Sequence, residues 1–134
     1  MTLPYGALVL EHFRRPRNQR ALEHPSASHE GFNPLCGDRV RIELDVDQGA
    51  IRAAAFTANA CAICTASASL LTERVTGMPL DTAARISDGE ALAALESEVP
   101  AARVACALLP LTALREALRE ALRAPAPAAR ASAP

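Results

Sequence analysis

The sequence predicts a chain that mixes β and α structure, with a β-hairpin set ahead of a series of helices. Val40, Ile42, Leu44 and Val46 alternate with Arg39, Arg41, Glu43 and Asp45, the period of a half-buried strand. Asp47-Gln48-Gly49 turns the chain, and Ile51 to Phe56 returns it as the second strand. Beyond the hairpin, helical patterns are punctuated by Gly77, Pro79, Pro100 and Pro110.

The elements follow in order. Leu8, Val9, His12 and Phe13 share one face of a short amphipathic helix, which Pro16 closes. Glu23 to Asn33 is polar and broken by Pro25 and Gly31, so a loop with a short extended edge piece is expected there. The second strand carries Ala53, Ala54 and Ala55, weak strand formers that depend on the hairpin for their pairing. Thr65 to Thr76 reads as a helix of small residues, and Ser87-Asp88-Gly89-Glu90 as a capping box opening a helix to about Glu96. Pro100 suits the first turn of a helix running through Cys106, which Pro110 then kinks or restarts. Leu111, Leu114, Leu118 and Leu122 form an apolar stripe, and the Pro/Ala-rich segment 125–134 is expected to be disordered.

Composition narrows the function classes. A chain of 134 residues can bury a core as one domain, and its 3% aromatic content favours tightly packed helices of small side chains. A net charge of −1 gives no attraction to nucleic acid or to an anionic membrane. No apolar run is long enough for a membrane span and no signal peptide opens the chain, so a cytoplasmic protein is expected. In that compartment the four cysteines read as thiols or metal ligands rather than as disulfides.

Two of these cysteines, Cys61 and Cys64, lie where the second strand gives way to a helix. Free N–H groups at a helix start favour a thiolate at Cys61, and Cys64 falls on the same face. Cys61-x-x-Cys64 has the spacing of a redox pair or a zinc knuckle, but no βαβ pattern surrounds it and no second CxxC completes a zinc ribbon, so Cys64 reads first as a small buried hydrophobe. In Asn33-Pro34-Leu35-Cys36-Gly37-Asp38, a thiol and a carboxylate stand together before the first strand. They make half of a tetrahedral zinc or iron–sulfur site, or simply a turn cysteine beside a strand-capping aspartate. Cys106 is buried filler on a late helix or a distant ligand, with Arg103 one turn away to hold a thiolate or an anionic sulfur species. The expectation is that folding returns Cys36 and Cys106 to the Cys61 turn. His12, His24 and His29 have no ligand spacing with a cysteine, and no P-loop, dinucleotide fingerprint or Ser/His/Asp arrangement occurs.

Read together, these segments resemble the U-type iron–sulfur cluster scaffold family, the IscU, SufU and NifU N-terminal group. Tyr5, Leu10-Glu11-His12-Phe13 and Pro16-Arg17-Asn18 are similar to its opening, and Asn33 to Asp38 matches NPxCGD. Phe56, Cys61-Ala62-Ile63 and Ala66 to Ser69 match F.G.GCAISxASAS, and Arg103 to Leu109 matches the closing R..CA.L. The resemblance runs collinearly from Tyr5 to Leu122. It implies an α+β fold, SufE/NifU-like, in which a small antiparallel β-sheet packs against helices with the site at one end. A scaffold domain over 1–124 is expected, with Cys36, Asp38, Cys61 and Cys106 holding zinc, iron or an assembling [2Fe–2S] cluster.

The resemblance also implies partners. Sulfur arrives as persulfide from a pyridoxal-phosphate cysteine desulfurase, with Cys106 and then Cys36 as acceptor candidates and Arg103 in support. The cluster passes to apo iron–sulfur acceptor proteins. This is a scaffold or sulfur acceptor rather than a conventional enzyme. A zinc-dependent sulfurtransferase and a zinc-stabilised binding module are the alternatives. The chain departs from the family pattern at several positions. Ala58 and Ala60 replace glycines, Cys64 replaces a serine and is the alternative ligand, and Ala105 replaces the histidine of the ISC-type branch. Val99 to Arg103 is a reduced form of that branch's chaperone motif; Arg103 resembles the SUF-type branch, whose insertion before the last cysteine is absent.

Overall fold

The computed structural model describes residues 5–123, so the expected disordered tail at 125–134 lies outside the described residues. Three strands, β1 (Ala27–Asn33), β2 (Asp38–Asp47) and β3 (Ala50–Asn59), form an antiparallel sheet in the order β1-β2-β3. Helix α1 (Ala7–Arg14) precedes the sheet. Helices α2 (Ala62–Val75), α3 (Leu80–Ala84), α4 (Asp88–Ala93) and α5 (Val104–Arg123) follow it. This is the α+β architecture that the family resemblance implies.

The β2–β3 hairpin forms as its sequence predicts. Gln48 and Gly49 both take positive φ, 52° and 76°, the conformation that a tight two-residue turn needs. Val40, Ile42 and Leu44 leave β2 on its buried face, where Ile42 pairs with Phe56 of β3. β3 extends beyond the expected Phe56 to Asn59, which brings the chain directly to the start of α2.

β1 corrects the loop expected over Glu23 to Asn33. Its polar sequence ASHEGFN lacks strand periodicity, but β2 pairs with it from Ala27↔Leu44 to Asn33↔Asp38. Gly31 lets α5 lie against the strand, because a Cβ there would stand 3.0 Å from Leu109 Cδ1. Tertiary pairing and packing therefore override weak local propensity.

α2 is the hub of the helical layer. Ile63 to Ser69 are all buried, and their small side chains let α1, α5 and β3 approach closely. The buried hydroxyls are paired: Ser67 donates to the Ala107 carbonyl at 2.7 Å, and Ser69 accepts the Arg17 N–H at 2.8 Å. His12 Nδ1 lies 2.7 Å from Ser69 Oγ and ties α1 to α2. A 3₁₀ turn, Ala101–Arg103, leads into α5, and α5 runs on through Pro110 without restarting. Pro110 has no N–H for the carbonyl of Cys106, four residues back, so the turn carrying that cysteine loses one ladder bond. Among the described residues no helix is long and apolar enough to cross a membrane.

Candidate metal and sulfur site

Three neighbouring segments meet at one end of the sheet: the β1–β2 loop, the β3–α2 junction and the first turn of α5. In the loop, the Gly37 N–H donates to the Asn33 carbonyl at 2.8 Å, and the Leu35 N–H donates to Asn33 Oδ1 at 3.0 Å. Gly37 takes φ +78°, open to glycine at little cost, and so turns Cys36 outward and Asp38 inward onto β2. Cys36 is exposed; Asp38 is buried.

The sulfur atoms of Cys36 and Cys106 lie 3.2 Å apart although 70 residues separate them in sequence. The ligand atoms of Cys36, Asp38 and Cys106 all fall within 4.8 Å of one another. Cys61 is the N-cap of α2, and its backbone N–H donates to Asp38 Oδ1 at 3.2 Å. Its thiol also bears on the Asp38 carboxylate. Cys64 is wholly buried in the core beneath this group. His12 is bound to Ser69, while His24 and His29 are exposed, and none of them belongs to the cluster.

Electrostatics mark the cluster as crowded with acidic groups. Burial raises the Cys106 thiol to about 12, helped by contact with Cys36 and by the Asp38 charge. Burial likewise raises Cys61, but the N–H groups of Cys64 and Ile63 at the helix start pull it back down. Cys64 is pushed up further still, by burial and then by Asp38 and the other thiols. The guanidinium of Arg103 lies near Cys106, Cys61 and Tyr5, and interaction with their anionic forms raises its own pKa.

Sequence reasoning missed Asn33 as a working residue. Its Nδ2 reaches Cys106 Sγ at 3.8 Å while its Oδ1 shapes the loop, so one side chain links the Cys36 loop to α5. The Asn-Pro pair, a turn-initiating signal, was the clue available. Tyr5 enters the sequence pattern as a motif residue, and in the structure its phenol stands near Cys61, Arg103 and Cys106, with burial raising its pKa.

The chemistry of the three grouped donors suits a divalent cation. Asp38 Oδ2 is buried with no hydrogen-bond partner among the described residues, a costly arrangement that a cation bound there relieves. The Cys36 and Cys106 thiols with the Asp38 carboxylate suit zinc or iron, which take the thiolate form, while Cys61, the fourth expected ligand, stands beside Asp38 but outside that group of three.

A NifU-like N-terminal domain model matches residues 4–125. The chain belongs to that family. Haemophilus influenzae IscU, an iron–sulfur cluster assembly scaffold protein, is 32% identical over 88% of this chain and 95% of its own length. Bacillus subtilis SufU, a zinc-dependent sulfurtransferase, is 34% identical over 62% of this chain. The chain spans 56% of that protein's length, and 24% of the Rubrobacter xylanophilus bifunctional protein NifU/MnmA, to which it is 36% identical over 87% of its own length. In fold, this NifU-like domain superposes on a SufU structure from Fervidobacterium islandicum with a TM-score of 0.75 at 22% identity, covering 84% of this chain and 95% of that one.

Proposed function

We propose that this NifU-like domain is a scaffold for iron–sulfur cluster assembly, with Cys36, Asp38, Cys61 and Cys106 as the ligands of its cargo. The observation that carries the reading is the buried, unpartnered Asp38 Oδ2 beside the Cys36 and Cys106 thiols. A lone oxygen in a sulfur set binds iron less tightly than a thiolate, so it is the natural point of release to an acceptor. Zinc bound to the same donors would hold the thiols as thiolates until sulfur and iron arrive.

Sulfur delivery follows from exposure. Cys36 is the accessible thiol and Cys106 is buried behind it, so a persulfide from a cysteine desulfurase enters at Cys36. The 3.2 Å separation lets Cys106 take the outer sulfur, which makes Cys106 the nearest relay. Arg103, whose charge lies near Cys106, stabilises the anionic sulfur there. Leu35, 93% exposed beside Cys36, offers the desulfurase an apolar contact at the entry thiol. Apo iron–sulfur proteins are the acceptors, and the cytoplasm is the proposed setting.

The second reading is a zinc-dependent sulfurtransferase, favoured by the Cys36–Cys106 sulfur contact and by Arg103. Anaerobic reconstitution with iron, cysteine and a desulfurase separates the two. A cluster absorption spectrum with transfer to an apo-ferredoxin supports the scaffold. Desulfurase stimulation without a cluster supports the sulfurtransferase, and neither result leaves a zinc-stabilised binding module.

A further inference from the structure

The proposed ligand set leaves one thiol without a role. Cys64 is wholly buried, yet it lies three residues after Cys61, the N-cap of α2. A Cys-x-x-Cys pair opening a helix is an arrangement in which dithiol and disulfide interconvert. Here the first sulfur is partly exposed and the second is shielded from outside oxidants. Cys64 lies in the same packed core as Cys106, and Cys61 packs against that core.

We propose that Cys61 and Cys64 form a reducing dithiol that converts bound sulfane sulfur to sulfide. This rests on the sulfur-accepting role proposed above and adds an electron source to it. A persulfide on Cys36 or Cys106 first passes its outer sulfur to Cys61 by thiol exchange. Cys64 Sγ then attacks Cys61 Sγ of the persulfide anion. The Cys61–Cys64 disulfide forms, the Cys61 sulfur–sulfane bond breaks, and the sulfane sulfur leaves as HS⁻ carrying the Cys64 proton. The sulfane sulfur gains two electrons and the two thiols lose them, so one turnover needs no outside reductant. An external dithiol of the thioredoxin class returns the pair to its reduced form, supplying two electrons and two protons. The disulfide also withdraws Cys61 from the ligand set, so sulfide release and full metal ligation alternate.

The competing pair is Cys36 and Cys106, whose sulfurs are already 3.2 Å apart. The test uses the reduced, metal-free full chain, loaded anaerobically with inorganic polysulfide, desalted, and followed for sulfide release and disulfide position. The wild type should release sulfide stoichiometrically with a Cys61–Cys64 linkage in peptide mapping. Cys64→Ser and Cys64→Ala should keep cyanide-reactive sulfane sulfur and release sulfide roughly tenfold or more slowly. Both variants should still bind zinc, which shows that they are folded. No release from the wild type, unchanged release in both variants, or a linkage between Cys36 and Cys106 would overturn the proposal. Polysulfide loads thiols without a desulfurase. Failure of a desulfurase to charge the chain therefore counts against the scaffold reading and leaves this measurement standing.

Discussion

Asp38 shows how much one residue contributes to this site. Its Oδ1 accepts the Cys61 N–H while Oδ2 is buried without a partner among the described residues. Metal-free protein therefore bears an uncompensated desolvation cost that metal-bound protein does not. In Asp38→Ala, loss of one hydrogen bond, worth about 1 kcal/mol, is offset by removing that buried carboxylate. The thermal midpoint of the metal-free variant should be no lower than that of the wild type. Release of a loaded cluster to an apo-ferredoxin should slow, because the exchangeable oxygen is gone. A transfer rate equal to that of the wild type would exclude this role for Asp38.

At the scale of elements, two of the contacts that join the helices to each other and to the sheet make specific predictions. Gly31 lets α5 lie on β1 with Leu109 in contact. Gly31→Val puts branched carbons into that space and should cost about 1–3 kcal/mol, read from urea unfolding. It should also weaken zinc binding, since α5 carries Cys106 and β1 leads to Cys36. The α1–α2 contact turns on His12, whose pKa is lowered from 6.5 by burial first and then by the charge of Arg17. Glu11 and Glu73 oppose this shift. A depressed folded-state value means that the unfolded chain binds the proton more readily. The His12 contribution is therefore complete above pH 6.5 and is lost as pH falls from there through the lowered folded value. His12→Gln should flatten the pH dependence of unfolding in that acidic window; an unaltered slope would remove His12 as its source.

The proposed ligands come from three chain segments, so metal binding and global stability should be linked. At a free zinc concentration of 100 times the dissociation constant, stabilisation should reach about 2.7 kcal/mol. A chelator should reverse it. Cys61→Ser should lose this increment, whereas Cys64→Ser should keep it, because Cys64 lies in the core below the ligands. Calorimetric scans with and without zinc measure both. Retention of the increment in Asp38→Ala together with its loss in Cys64→Ser would establish a four-cysteine site instead.

Local pattern alone determined the β2–β3 hairpin, the Ser87 capping box and the small-residue helix after Cys61, because strand period, turn chemistry and capping are short-range properties. The motif spacing likewise determined which residues to follow, among them Cys36, Asp38, Cys61 and Cys106. Other features had no local signal. β1 is polar and becomes a strand because β2 supplies its hydrogen bonds and α5 covers Gly31. Pro110 reads as a break, yet α5 continues because Leu109, Leu111 and Leu114 are buried on either side of it. The exposure of Cys36, the burial of Cys106 and the reach of Asn33 between them depend on residues far apart in sequence meeting in space. Tertiary packing thus decided which thiol faces solvent, because access is set by the elements folded around a residue and not by its neighbours along the chain.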